Sequence, residues 1–114
     1  MIATTGMIEL ICVRPNGESV PVTAAIGHPY PTIEGGWACP VEITGLHGRL
    51  TDVHGTDSLQ ALCLAINLVS SLLASFVAEG GRIRDPKTGK DVELDTYFNA
   101  GRPKGPGKAR LTFT

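Results

Sequence analysis

The sequence has no excess of charge of either sign, so no global field directs the chain toward nucleic acid or a membrane surface. Ten lysine and arginine residues stand against eleven aspartate and glutamate residues, and the formal net charge is −1. Charged residues are only 18% of the chain, whereas hydrophobic residues are 42%. This balance is typical of a globular protein with a modest core, and we predict a single domain over residues 1–114.

Cysteine is also too scarce to build a disulfide framework. Cys12, Cys39 and Cys63 are odd in number and widely spaced. Residues 1–6 carry no basic stretch, and no apolar run typical of a secretory leader follows them. The sequence therefore predicts free thiols in a reducing compartment, and we expect a cytoplasmic protein.

The longest uncharged stretch is residues 58–78, which predict one long helix over about 57–79. Asp57 is a good N-cap with Gln60 three residues later, and Gly80 is a natural residue to end the helix. Apolar residues recur at spacings of three and four, as helical packing requires. They are Leu59, Leu62, Cys63, Ile66, Val69, Leu73, Phe76 and Val77.

The predicted helix has an unusually broad apolar arc. Gln60, Asn67, Ser71 and Ser75 form one narrow polar stripe, interrupted by Leu64 and Ala78. Packing on a single sheet requires less apolar surface than the rest of the helix offers. Either the C-terminal segment covers the second face, or the protein is a homodimer through helix 58–78 or its flanks. We favour the homodimer, because 114 residues offer little material to cover both sides.

The same helix is long enough to cross a membrane. Against this, its polar side chains would lie in hydrocarbon, and its ends carry Asp57 and Glu79 rather than lysine or arginine. No tryptophan or tyrosine marks an interface at either end. We therefore predict no membrane span.

Alternating apolar residues and turn signals predict a small antiparallel sheet. Asn16-Gly17 is a strong hairpin signal between two β-prone segments. Residues 28–36 predict a loop, and residues 99–108 predict a flexible segment rich in glycine and proline. The fold class is therefore α+β: an N-terminal meander in an antiparallel sheet of about four to five strands, packed by one long helix. The expected strands are residues 7–14, 19–27, 37–45, 49–53 and 82–85, with 91–94 pairing back.

Cys39, His47 and His54 are the residues that would carry a small enzyme or metal site. Thiolate and imidazole are zinc ligands, and Asp52 could orient an imidazole beside a cysteine nucleophile. However, the sequence lacks the close cysteine or histidine pairs of common metal sites. Cys39 also shares a strand face with apolar neighbours, which favours a core position. Cys12 and Cys63 are likewise expected to be packing residues, and Asp57 a helix cap.

The C-terminal segment offers an alternative function, contact with nucleic acid. Cations beside aromatic rings are the ingredients of single-strand binding. The alternative is that this segment is a solvated tail without a binding role. A phosphate loop is excluded, because Lys108 is followed by Ala109 and no helix follows. The residues concerned are Arg102, Lys104, Lys108 and Arg110, near Tyr97, Phe98 and Phe113.

Two motifs resemble a known group of proteins. W-x-C-P-V-x-I-x-G-L spans residues 37–46, and G-x-D-S-L-Q-A-L-x-L-A spans residues 55–65. Together they resemble small bacterial proteins that share a domain of unknown function. The resemblance implies a bacterial, stand-alone cytoplasmic protein and carries no catalytic residue. Trp37 opens the first motif, and we expect it to cap one end of the core or to anchor a partner.

The leading hypothesis is a non-catalytic binding or interaction module, with no cofactor and no metal expected. The broad apolar arc and the absence of a polar constellation motivate it. By analogy of size and fold alone, it is immunity- or accessory-like. The hypotheses of a site at Cys39, His47 and His54 and of nucleic-acid contact through the tail remain as alternatives.

Overall fold

The computed structural model describes residues 2–99, and it has the α+β fold expected from the sequence. The cationic residues of the C-terminal segment and most of the segment 99–108 lie outside the described residues. The described elements are β1 (Thr4–Val13), β2 (Ser19–Gly27), β3 (Tyr30–Pro31), β4 (Trp37–Cys39), β5 (Val41–Thr44), β6 (Gly48–Arg49), β7 (Val53–Gly55), α1 (Ser58–Ala78), β8 (Arg82–Arg84) and α2 (Leu94–Phe98).

The N-terminal meander is confirmed, and it forms the centre of an antiparallel sheet. β1 and β2 pair along their whole length, and β5 pairs with the other edge of β2. At the hairpin turn Gly17 has a φ of 91°, and the Asn16 side chain accepts a hydrogen bond from the Glu18 amide at 2.9 Å. The strand order is β6-β5-β2-β1-β8, so the predicted count of four to five strands holds for this sheet.

The predicted third strand, residues 37–45, is wrong as one strand because it breaks at Pro40. β4 belongs to a second sheet of order β3-β4-β7, whereas β5 belongs to the five-stranded sheet. Pro40 has no amide hydrogen to donate to a ladder. Its carbonyl accepts from the Gly27 amide at 2.8 Å, and a Cβ on Gly27 would lie 3.0 Å from the proline ring. The chain therefore turns a tight corner there and passes between sheets.

The other strand boundaries also differ from expectation. The fourth strand predicted over 49–53 is replaced by two strands, β6 and β7, and the predicted loop 28–36 contains β3. β8 confirms the return strand after the helix, pairing with the end of β1. Residues 91–94 pair back only through the Arg84–Asp91 bridge and a Val92 amide bond to Ile83 at 2.8 Å. Helix α2 follows, where the sequence analysis predicted no helix.

Helix α1 lies across both sheets and completes the core. The Asp57 carboxylate accepts from the Gln60 amide at 2.8 Å, as a cap should. The Gln60 side chain accepts from Thr56 rather than from Asp57, which modifies the expected capping box. Gly80, with a φ of 102°, ends the helix. The fully buried core side chains include Cys12, Cys39, Val41, Ile43, Ala61, Ala65 and Leu73.

The start of α1 approaches β7 more closely than a side chain would permit. A Cβ added to Gly55 would lie 2.5 Å from the Ala61 nitrogen and 2.9 Å from its Cα. Both atoms belong to the helix backbone, which cannot rotate away. Gly55 therefore fixes how near the first turn of α1 comes to the second sheet, and it gives the glycine of the second motif a structural role.

Candidate interaction surface

The structure does not gather the three residues predicted for an enzyme or metal site. Cys39 is fully buried, and its thiol lies 3.5 Å from the Gly27 carbonyl oxygen. His54 is paired with Ala38 across β7 and β4, so its side chain leaves the sheet on the face opposite Cys39. His47 lies in the turn between β5 and β6, beside the C-terminal half of α1. Within residues 2–99 no group of three or more histidine, cysteine or acidic side chains is placed to hold a metal.

The buried thiols are not activated for nucleophilic attack. Burial raises the pKa of the Cys39 thiol, and the nearby negative charge of Asp52 raises it further. Burial likewise raises the pKa of Cys12, although Arg14 partly opposes the change. A reactive cysteine needs its thiolate stabilised, and these surroundings do the reverse. Cys63 differs from expectation, because it is exposed on α1 instead of packed in the core.

A polar cluster on the second sheet was not predicted as a unit. The Tyr30 hydroxyl donates to the Asp52 carboxylate, which also accepts from Arg49 at 2.9 Å. The tyrosine bond is the main cause of a lowered Asp52 pKa; partial burial opposes it and Arg49 reinforces it. The same bond raises the pKa of Tyr30. The Asp52 carboxylate therefore bonds to both Tyr30 and Arg49, and the Tyr30 bond connects β3 to the loop before β7. Tyr30 and Asp52 are 22 residues apart in sequence, and no local sequence pattern predicts that they pair.

Trp37 is half-buried at the start of β4, and it packs against the core cluster. Its position fits the interpretation that it caps one end of the core. The cluster of Tyr30 and Asp52 and the packing of Trp37 are therefore structural features of the second sheet, and the surface left for recognition lies elsewhere.

The most distinctive surface is the exposed side of α1. Only Ala61, Ala65, Val69 and Leu73 of this 21-residue helix are buried, and they form a single stripe at intervals of four. Large apolar side chains outside that stripe remain exposed: Leu59 at 68%, Leu64 at 39%, Ile66 at 37% and Val77 at 43%. The broad apolar arc inferred from the sequence is therefore present at the surface of the described structure.

Part of this surface has the spacing of a helix–helix contact. We call Leu59, Cys63, Ile66, Ser70 and Val77 the apolar seam. At about 100° per residue they fall on one side of α1, next to the buried Leu73. Their spacings are four, three, four and seven residues, and Leu73 occupies the helical position between Ser70 and Val77, so the row keeps intervals of four and three. No charged residue interrupts the seam, which lies on a helix about 32 Å long at 1.5 Å per residue.

Helix α2 extends this apolar surface toward β1. Ile66 and Val69 face a small pocket of about 110 Å³ whose other walls include Tyr97 and Phe98. The two aromatic rings meet edge to face, with centroids 5.1 Å apart. Tyr97 and Phe98, which the sequence analysis assigned to a nucleic-acid alternative, therefore contact the α1 side of the fold.

By length and composition, α1 also qualifies as a helix that could cross a membrane. A single such helix is weak evidence, since core helices of soluble proteins meet the same criterion. In this structure α1 packs along β4, β7 and β2, and only a fifth of its most apolar stretch is buried. The exposed apolar surface is therefore the feature that any function of α1 must explain.

These features define a small α+β protein with an exposed apolar helix face. A family model described as "Domain of unknown function (DUF6968)" matches residues 10–95, so the chain belongs to that family. The match confirms the resemblance to a family of unknown function. No curated protein and no solved structure matches the chain.

Proposed function

We propose that the protein is a non-catalytic interaction module that acts as a homodimer, with the apolar seam of α1 as the interface. The observation that carries the proposal is the exposure of Leu59, Ile66 and Val77 on a helix without charged residues. By analogy of size and fold, we propose that this module is a bacterial cytoplasmic protein of the immunity or accessory type.

The chemistry of the seam supports a second copy as its partner. Burying apolar surface contributes about 25 cal/mol per Å², and the seam offers several large side chains without a charge to desolvate. Small residues, Cys63 and Ser70, alternate with the large ones. This alternation lets two helices approach and interlock their larger side chains. Asp57 and Glu79 lie beyond the ends of the helix, outside the proposed contact.

The test is the solution mass by light scattering over a dilution series. We expect the wild-type protein to be a dimer at tens of micromolar, and Ile66→Glu to be a monomer. Ser71→Glu is the matched control, because it places the same charge on the polar stripe of the same helix. All three should give the same circular dichroism spectrum. A monomeric wild-type protein, or a dimer that survives Ile66→Glu, would contradict the proposed interface.

Cys63 gives an independent readout of the same interface. It is exposed, whereas Cys12 and Cys39 are buried, so it should be the fast-reacting thiol of the folded protein. If the seam is the interface, Cys63 should react slowly at high protein concentration and faster on dilution. Binding of the wild-type protein to lipid vesicles, lost in Ile66→Glu, would instead favour a membrane surface as the partner.

A further inference from the structure

Strand β1 carries an open edge, which lies beside the exposed face of α1. β2 pairs with β1 along residues 4–13, but β8 pairs only with Ile11, Cys12 and Val13. Within residues 2–99, the remainder of β1, residues 4–10, therefore has no strand on this side. An open strand edge presents unpaired amide and carbonyl groups, which makes it a template for another strand.

The register identifies which backbone groups face this edge. Ile11 lies opposite Pro21 of β2, which has no amide hydrogen, and opposite Arg84 of β8. The backbone of Ile11 therefore points toward β8. Because orientation alternates along an antiparallel strand, Glu9 and Met7 point to the same side. Their amides and carbonyls are the groups that an added strand would meet, whereas those of Ile8 and Leu10 face β2.

The edge lies at the floor of a groove. Two adjoining depressions of about 350 and 390 Å³ share Ile8, Glu9, Asp85 and Tyr97 in their walls. On the helix side the lining is apolar, with Ile8, Leu10, Val92 and Tyr97. Met7 and Tyr97 are each about half exposed there, at 49% and 50%. The groove is thus open, elongated along β1, and different in character on its two sides.

The charge of the groove favours a cationic strand. The charged residues that line the groove are Glu9, Asp85, Glu93, Lys87 and Lys90. Asp91 also lines it, but its carboxylate is already paired with Arg82 and Arg84 of β8. In the described part of the chain, neither Glu9 nor Glu93 lies within salt-bridge distance of a basic side chain. A positively charged side chain on an added strand would find both carboxylates unpaired.

We propose that this groove is a strand-acceptor site and that its occupant is the chain's own C-terminal segment, residues 108–114. Their sequence, KARLTFT, alternates as a strand does: Ala109, Leu111 and Phe113 on one face, and Arg110 with the threonines on the other. Added to β1, the apolar face meets the Ile8 and Tyr97 side of the groove, and Arg110 meets the Glu9 side.

The chain length permits this return. Helix α2 ends at Phe98, which lines a pocket with Gly6 and Met7, so the following residues start beside the open edge. Residues 99–108 span up to about 33 Å when extended, whereas residues 4–10 of β1 cover about 20 Å. The segment can therefore reach either end of the edge. The proposal does not depend on the α1 homodimer, although the groove and the apolar seam adjoin at the small pocket that Ile66 and Tyr97 line.

Amide hydrogen exchange of the full-length protein tests the proposal. We expect the Met7 and Glu9 amides to be protected in the wild-type protein. Thr112→Pro removes an amide hydrogen from the added strand and should speed exchange at Met7 and Glu9 by roughly tenfold. Exchange at Ile8 should not change, since its amide is bonded to β2. Lys104→Pro is the matched control, because it introduces proline into the same tail outside the added strand.

A charge exchange adds a second variant that does not involve proline. Glu9→Lys should speed exchange at the edge amides, and the pair Glu9→Lys with Arg110→Glu should restore protection. Rapid exchange at Met7 and Glu9 in the wild-type protein, or rates that Thr112→Pro leaves unchanged, would overturn the proposal. Protection that disappears on dilution would overturn it too, since the strand would then come from a second copy. The solution mass of Thr112→Pro should equal that of the wild type. The solution mass therefore tests the α1 interface, and amide exchange tests the groove.

Discussion

Gly55→Ala is the substitution that most directly tests how α1 is seated on the second sheet. The added Cβ would lie 2.5 Å from the Ala61 nitrogen and 2.9 Å from its Cα. Real Cβ contacts are rarely closer than 3.4 Å, so the first turn of α1 would have to move by about 1 Å. The neighbours are backbone atoms of a helix, and no side-chain rotation relieves the contact.

The size of the effect follows from two opposing contributions. Overpacking a well-packed site typically costs about 1–3 kcal/mol. Alanine also restricts the unfolded chain more than glycine does, which stabilises the fold by about 0.4–1 kcal/mol. Gly6→Ala is the matched control, because a Cβ there meets nothing within 4 Å and the backbone φ is not positive. We therefore expect the free energy of unfolding of Gly55→Ala to be about 1–3 kcal/mol lower than that of Gly6→Ala.

Urea unfolding followed by Trp37 fluorescence measures this difference. Trp37 is the single tryptophan and pairs with Gly55 in the second sheet, so its signal reports the affected region. All variants must be compared at one protein concentration, since association would add to the apparent stability. If the two glycine variants unfold within about 0.5 kcal/mol of each other, the close seating of α1 on β7 is refuted.

Substitutions at three further positions test the core, the cap and the polar cluster. Leu73→Ala should lower the free energy of unfolding by about 2–5 kcal/mol, because Leu73 is fully buried; a loss below 1 kcal/mol in urea would contradict its core position. Asp57→Ala should lower the free energy of unfolding by about 1 kcal/mol in the same assay, and Asp57→Asn should lower it much less. Equal losses for the two variants would argue against the cap. The lowered Asp52 pKa gives a stabilisation that is fully present above the ordinary aspartate pKa of about 3.9 and is lost as pH falls through the lower, folded value. Acid unfolding of Asp52→Asn should therefore be less steep below about pH 4 than that of the wild type, and identical curves would contradict the contribution.

Local sequence signals predicted the elements that local interactions determine. The helix 58–78 has its own cap, its own terminating glycine and a helical apolar period, and its predicted bounds of about 57–79 agree with the structure. The hairpin likewise follows from Asn16-Gly17 and two alternating strands. The excess apolar surface on α1 could also be inferred, because counting apolar positions around a helix needs no knowledge of the strand order.

The parts that were missed depend on distant contacts. Residues 41–44 alternate after Pro40, and the three residues before it are apolar and suit a buried strand. The pattern alone therefore does not show that the two halves belong to different sheets. The Tyr30–Asp52 pair joins a short strand to a loop, and neither segment has a strong periodicity. The open edge of β1 depends on where β8 ends, which is set by the return path of the chain after α1.

That return path also determines the order in which the large sheet is completed during synthesis. β1 is the first strand made, yet it lies between β2 and β8 in the finished sheet. The Ile11–Arg84 pairing therefore waits until α1 has emerged, and closing so long a loop slows the step. Until then a nascent chain exposes the whole of β1 along one side, a period in which neighbouring nascent chains could pair with it. Pairing of β8 after the turn at Gly80 and Gly81 then shortens the exposed edge of β1 from residues 4–13 to residues 4–10.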